Sequence, residues 1–212
     1  MITSSTNFTP MRLLLSVLFF ISINCQAQSF QQDVAEFRNH YIADHLQEEH
    51  SPIKYEQVQN LDFFIAKEKY KVNATVKLLE DHKGFTMLTH SGKKKQYYKY
   101  AQLNFSIDNK KQKLYIYQSK SLLQKKEYRD HLFLPFTDAT NYTQTFGGGR
   151  YIDFILDDIK EGILVLDFNK CYNPYCAYAG GFNCPIPPKE NRLDIAIQAG
   201  EKLYLGEVPI HK

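Results

Sequence analysis

The chain has 212 residues, 26 Lys and Arg against 23 Asp and Glu, a formal net charge of +3, and 43% apolar residues. A balance so close to neutral excludes a protein built to coat nucleic acid. The basic runs at Lys93-Lys94-Lys95, Lys110-Lys111 and Lys125-Lys126 are scattered beside turn residues, where lysines keep hairpin ends solvated and strand edges from aggregating.

Residues 1–27 read as a secretory signal peptide. Met11-Arg12 makes a positive opening at which translation can also start, Leu13 to Ile23 is apolar but short for a bilayer, and Cys25-Gln26-Ala27 supplies the small residues of a cleavage site. In a second reading Cys25 is a lipidated N-terminus that anchors the protein, although Asn24 before it is a poor match to a lipobox. Cleavage leaves residues 28–212 as one exported domain, periplasmic or secreted, with no transmembrane span. Its length of about 185 residues suffices for a substantial core.

Residues 28–50 read as a helix, with Phe30, Val34, Phe37, Tyr41 and His45 at helical spacing and Ser51-Pro52 as the stop. Strands follow. Tyr70, Val72, Ala74, Val76 and Leu78 alternate with polar residues; Asp81-His82-Lys83-Gly84 turns into a strand at 85–90; Ser91-Gly92 turns into a long strand ending at Ile107; Asp108-Asn109 turns into 113–118. Segments 132–136, 151–156, 162–168, 193–198 and 202–205 add further strands. The expected fold is mainly β: an antiparallel β-sandwich or partly open barrel of about nine to ten strands with an N-terminal helix packed against it.

Two polar connections carry the candidate chemistry. The first runs from Phe136-Thr137-Asp138-Ala139-Thr140 to Gly147-Gly148-Gly149-Arg150. Its glycines can turn backbone N–H groups towards an anion and Arg150 adds a positive fork, but no Gly-Lys-Ser/Thr follows, so it is not a phosphate loop of the Walker type. The alternative is a flexible turn with Arg150 bridging to Asp138 or Asp167.

The second connection runs from Asp167 to Glu201. Asp167 and Asn169 are expected on one face of a strand end, opposite Phe168. Cys171, Cys176 and Cys184 are an odd number of thiols with no zinc-type CxxC spacing, so no metal is expected. Cys176 and Cys184 bracket a loop that a disulfide can close; buried free thiols, or Cys176 as a nucleophile, are the rival readings. A nucleophile wants a histidine base, the segment has none, and His131 is the nearest upstream. Pro185-Ile186-Pro187-Pro188 runs extended and delivers Lys189-Glu190-Asn191-Arg192 to a fixed place. These groups either interlock in a buried polar network or converge on a ligand with tyrosines as stacking faces.

Pro135-Phe136-Thr137-Asp138-Ala139-Thr140, Gly149-Arg150-Tyr151, Asp167-Phe168-Asn169, Tyr172-Asn173-Pro174-Tyr175-Cys176-Ala177-Tyr178, Cys184-Pro185-Ile186-Pro187-Pro188-Lys189-Glu190-Asn191-Arg192-Leu193 and Ala199-Gly200-Glu201 occur in this order. Together they closely resemble the bacterial and archaeal family called domain of unknown function 1684. The resemblance implies no reaction. It implies cysteines at 176 and 184 and leaves Cys171 as the extra thiol.

The expected function is an exported cell-envelope binding domain for a small polar or anionic ligand. Its ligand set comprises Asp138, Thr140, Arg150, Asp167, Asn169, Asn173, Tyr175, Cys176, Tyr178, Cys184, Glu190, Asn191 and Arg192. The alternatives are a hydrolase-type enzyme with Asp138, Asp167 or Glu190 as acid or base and Cys176 as nucleophile, and a module whose Pro- and Tyr-rich segment binds an envelope protein. No cofactor and no nucleic acid are expected.

Overall fold

A computed structural model describes residues 10–80 and 83–208, with only the backbone described for 10–28. Much of the signal-peptide reading, and Asp81-His82 of the expected turn, therefore lie outside what is described. Helix α1 spans Pro10–Gln47. It begins before the expected start at residue 28, since proline suits the first position of a helix and no glycine or proline follows until Ser51-Pro52. It ends three residues before the expected 50.

The chain is mainly β. Eight strands, β1 (Lys71–Leu78), β2 (Phe85–Leu88), β3 (Lys94–Ile107), β4 (Lys110–Ser119), β5 (His131–Phe136), β6 (Arg150–Ile155), β7 (Ile159–Lys160) and β8 (Ile163–Asp167), form one antiparallel sheet. Its order is β6-β5-β4-β3-β1-β8-β7, with β2 beside the start of β3. Two hairpins turn on residues with positive φ, Asp108-Asn109 at 49° and 61° and Glu161-Gly162 at 51° and 75°, the backbone of a type I′ turn.

The strand order dictates the curvature. β6 and β7 stand at opposite ends of the sheet, yet only Leu156–Asp158 separates them in the chain. That link reaches at most about 15 Å, so the sheet must roll until its edges nearly meet. The result is a partly open barrel, and no second sheet exists among the described residues to make a sandwich.

Alternation assigns each face. Ala74, Ala101, Leu103, Leu114, Ile116, Leu132, Leu134, Leu164 and Leu166 are fully buried in the barrel interior with Phe136 and Phe168. A bulge between Lys99 and Ala101 shifts the register of β3 against β4. It places Tyr97 on the outer face although Ala101 points inward. Tyr97, Met87, Tyr117, Phe133 and Tyr151 form a second cluster there.

Residues 171–187 roof that outer cluster. Tyr172 pairs with Tyr151 and Pro185 with Thr89 in isolated bridges, and His90 N–H and Ile186 N–H donate to Cys184 O at 3.0 Å and Leu88 O at 2.8 Å. Helix α1 packs beside the roof. Phe30 and Val34 meet Ala66, and Tyr41 and His45 meet the rings of Tyr172 and Tyr175 at 5.6 and 5.3 Å.

Segments 193–198 and 202–205 are not strands and the two-residue β7 was not expected, so the sheet has eight strands where nine or ten were expected. The alternation in 193–198 does mark core residues, with Leu193 and Ile197 in the interior, whereas in 202–205 Leu203 and Leu205 are exposed. Their backbones, however, bond to loops and side chains: Leu193 N–H to Thr137 O, Ile197 N–H to Asp138 Oδ1, Lys202 N–H to Asp62 O and Leu205 N–H to Asn60 O. In 193–198 periodicity reported burial, and in both segments the hydrogen-bond partners came from elsewhere.

Candidate functional site

Arg150 starts β6 facing the interior and is fully buried. Its Nη2 donates to Asp138 Oδ2 at 2.7 Å and Ile197 O at 2.9 Å, and its Nη1 to Glu201 O at 3.2 Å and to Ala199 O. Asp138 Oδ1 accepts from Thr140 N at 2.8 Å, Thr140 Oγ1 at 2.6 Å and Ile197 N at 3.1 Å. Asp138, Thr140 and Arg150 thus close the barrel interior with internal partners. Nor is the glycine triplet an open nest. A Cβ on Gly147 would stand 2.2 Å from the Tyr142 ring, one on Gly148 2.4 Å from Phe146, and one on Gly149 2.6 Å from Phe136 O.

Asp167 ends β8, and Phe168–Lys170 turn in a single 3₁₀ turn, so the strand alternation expected there stops at Asp167. Asp167 Oδ1 accepts from Asn169 N at 2.9 Å and Nδ2 at 2.7 Å. Asn169 in turn bonds Lys67 N at 2.9 Å and Lys67 O at 3.0 Å. Asp167 Oδ2 is buried with no partner among the described residues.

The Lys189–Asn191 turn is delivered rigidly, as the prolines require, but to the outside of β4. Glu190 accepts from Lys99 Nζ at 2.8 Å and Tyr117 OH at 2.9 Å. Asn191 bonds Tyr115 N and O, each at 2.8 Å, and Pro135 O at 2.7 Å, bridging β4 and β5 beyond their one paired register at Tyr117 and Phe133. Arg192 is exposed beside Asp194. The expected convergence of Arg150, Asp167, Glu190 and Arg192 on one opening therefore does not occur.

Behind the roof lies a buried carboxylate that the sequence reading placed in a motif but gave no role. Glu201 is fully buried. It accepts from Tyr178 OH at 2.6 Å, Asn173 N at 2.8 Å and Tyr41 OH at 3.1 Å, while Tyr41 and Tyr178 hydroxyls lie 2.8 Å apart. Burial raises the Glu201 carboxyl to about 7 despite those donors. Asn173 Nδ2 also donates to Lys202 O at 2.7 Å. Asn173, Tyr178 and Glu201 therefore join α1, the roof and the C-terminal segment.

Cys171, Cys176 and Cys184 are free thiols. Cys176 N–H points at Cys184 Sγ over 3.2 Å and Cys176 Sγ at Phe182 O over 3.3 Å. Burial pushes the Cys184 thiol up to about 12 and the Cys171 thiol up to about 11, which disfavours either as a thiolate nucleophile.

The open space lies between the roof, α1 and the outer face of the barrel. It is a cleft of 480 Å³ whose lining includes Tyr41, Asp44, His45 and Glu48 from α1, Tyr97, His131, Phe133, Tyr151 and Asp153 from the strands, and Tyr172, Tyr175, Phe182 and Cys184 from the roof. Of the expected ligand set only Tyr175 and Cys184 reach it. His131 Nε2 lies 2.8 Å from Asp153 Oδ1, and Tyr172 OH donates to Asp153 Oδ2. A neighbouring cavity of 800 Å³ lies along the barrel's open seam between β6 and β8, contains Asp167 in its wall, and shares Tyr41, Asp44, Asp153 and Tyr172 with the cleft.

Sequence reasoning missed the α1 wall. Tyr41 and His45 stood at core positions of the helix, and a polar-tipped aromatic ring there needs a buried partner; that was the available signal. Nothing local marked Asp153, and His131 entered only as the nearest upstream base for Cys176; both face the cleft because the sheet curls.

A family model described as "Protein of unknown function (DUF1684)" matches residues 56–202. Helix α1 precedes that range. The solution structure of an uncharacterized protein from gene locus rrnAC0354 of Haloarcula marismortui is similar at 31% identity and a TM-score of 0.58, over 81% of this chain and 97% of that one. No curated protein matches the chain.

Proposed function

The chain belongs to the DUF1684 family, and from that premise we propose that it is an exported cell-envelope domain that binds a small polar ligand in the tyrosine-lined cleft. The observation that carries this reading is the cleft itself. Its volume of 480 Å³ lies in the range of small-ligand sites, and its lining combines aromatic walls with a few carboxylates and imidazoles. Arg150, the residue expected to hold an anion, is committed to Asp138 and three carbonyl oxygens, so an anion is the less suited ligand. Export rests on the leader-like residues 1–27, with lipidation at Cys25 as its variant.

The binding reading is tested by calorimetry against sugars, amines, carboxylates and phosphates. Tyr175→Ala should weaken any detected ligand at least tenfold, whereas Arg192→Ala, in an exposed side chain outside the cleft, should leave it unchanged. Equal affinity in all three proteins excludes this cleft.

A second, enzymatic reading is favoured by one contact, the His131–Asp153 pair on the cleft wall. Asp153 holds Nε2, and the other nitrogen, Nδ1, is buried with no partner among the described residues, so a substrate must uncover it before it acts as a base. Here the acid–base residues are His131 and Asp153 rather than Asp138 or Glu190, and Cys176 takes no part. Substrate turnover that survives His131→Ala excludes this version.

A further inference from the structure

The charge inventory of the cleft is one-sided. Its tyrosine hydroxyls are committed to the protein: Tyr151 donates to Pro185 O, Tyr172 to Asp153 and Tyr175 to Glu48, while Tyr41 sits between Glu201 and Tyr178. A committed hydroxyl leaves the ring as what a ligand meets, and the face of an aromatic ring carries negative potential. Three carboxylates, Asp44, Glu48 and Asp153, stand around these rings against one ammonium, Lys95. Asp44 is exposed, and its carboxylate has no hydrogen bond or ion pair among the described residues. Asp44 and Asp153 also stand where the cleft meets the seam cavity, beside Tyr41 and Tyr172.

Resting on the binding reading above, we propose that the ligand of the cleft is an organic cation, with an ammonium group against the tyrosine rings and the carboxylates of Asp44 and Asp153 beside it. An anion in the same place meets three like charges and a single lysine. A neutral polyol finds its charged acceptors in the three carboxylates and its donors in Lys95, Asn183 and the imidazoles, since Ser119 bonds Ser121. A protonated amine matches both features, since it donates without accepting and is attracted to ring faces, and a quaternary ammonium matches the rings and the negative charge.

The test uses the purified protein and calorimetric titration with choline, with 1,4-diaminobutane, with 3,3-dimethylbutan-1-ol as the uncharged isostere of choline, and with acetate and glucose. At least one of the two cations should bind about tenfold more tightly than the alcohol, the scale expected of a partly desolvated cation on aromatic rings. Asp44→Asn should cut cation affinity several-fold and leave the melting temperature unchanged. Tyr175→Phe should retain binding, because it keeps the ring, and Tyr175→Leu should lose it.

Alcohol, glucose or acetate binding as tightly as the cations, through Tyr175, overturns the cation assignment and leaves the cleft a ligand site. Cation binding that is indifferent to both Asp44→Asn and Tyr175→Leu overturns it as well. Absence of binding by all five probes overturns both the cation assignment and the binding reading.

Discussion

At the scale of single residues, the charged groups that looked most like chemistry are bonded mainly to the protein itself, although Arg150 Nε and Asp167 Oδ2 are buried without a partner among the described residues. Arg150 and Asp138 form an ion pair at 2.7 Å with both side chains fully buried. Removing one member leaves an uncompensated charge in the core, so Arg150→Met should cost about 3–5 kcal/mol, read as a lower midpoint in chemical denaturation. Arg192→Ala, in a side chain that is 70% exposed, should fall within about 0.5 kcal/mol of the parent. Glu201 behaves differently. Its carboxyl is raised from 4.5 to about 7 in the fold, so the folded state holds this proton more tightly than the unfolded chain. The resulting stabilisation is fully present below about pH 4.5 and is lost as pH rises through about 7. Glu201→Gln mimics the protonated form and should remove this component of the pH dependence. Denaturation series at pH 5 and pH 8 measure it, and an unchanged pH dependence in the variant counts against Glu201 as the source.

At the scale of elements, periodicity proved a sound guide to burial and a partial guide to pairing. The alternation in β1, β4 and β8 could be read directly, as could the helical spacing of Phe30, Val34, Tyr41 and His45. The same alternation in Leu193, Ile197 and Ala199 also marked core residues. What alternation cannot encode is the identity of the hydrogen-bond partner, and here Asp138 and Arg150 take the place of a neighbouring strand. The bulge in β3 was equally hidden, because a one-residue shift shows only when the partner strand is known. The candidate site was misplaced for a related reason. Its walls come from α1, β3, β5, β6 and the roof, brought together by curvature, whereas the sequence displayed its unusual residues in one run. The Gly147-Gly148-Gly149 connection now has a mechanical role. Gly149 has φ of 90°, and a Cβ would lie 2.6 Å from both Phe136 O and Pro187 Cγ. Gly149→Ala should therefore destabilise by more than the roughly 1 kcal/mol typical of a positive-φ glycine alone, measured by thermal unfolding.

At the scale of the whole molecule, a rolled sheet with one seam has an uneven distribution of stability. β3 and β4 share the ten-pair ladder, β1 is paired on both sides between β3 and β8, and all four strands hold fully buried interior residues, whereas α1 meets the barrel through a few side chains. Amide exchange should be slowest in β1, β3, β4 and β8 and faster in α1. Equal protection in the helix counts against its being a separately opening wall of the cleft. The pairing of Lys71 in β1 with Asp167 in β8 also bears on how the chain acquires its fold. Every neighbour in the run from β3 to β6 can be found by a local turn or a short loop, but β1 keeps one edge unpaired until almost the whole remaining sequence has been synthesised. Closing so long a loop is slow. A nascent chain thus stays unrolled through most of its synthesis, and the last segments to emerge, β8 and the C-terminal stretch that holds Arg150, are the ones that commit it to its final shape.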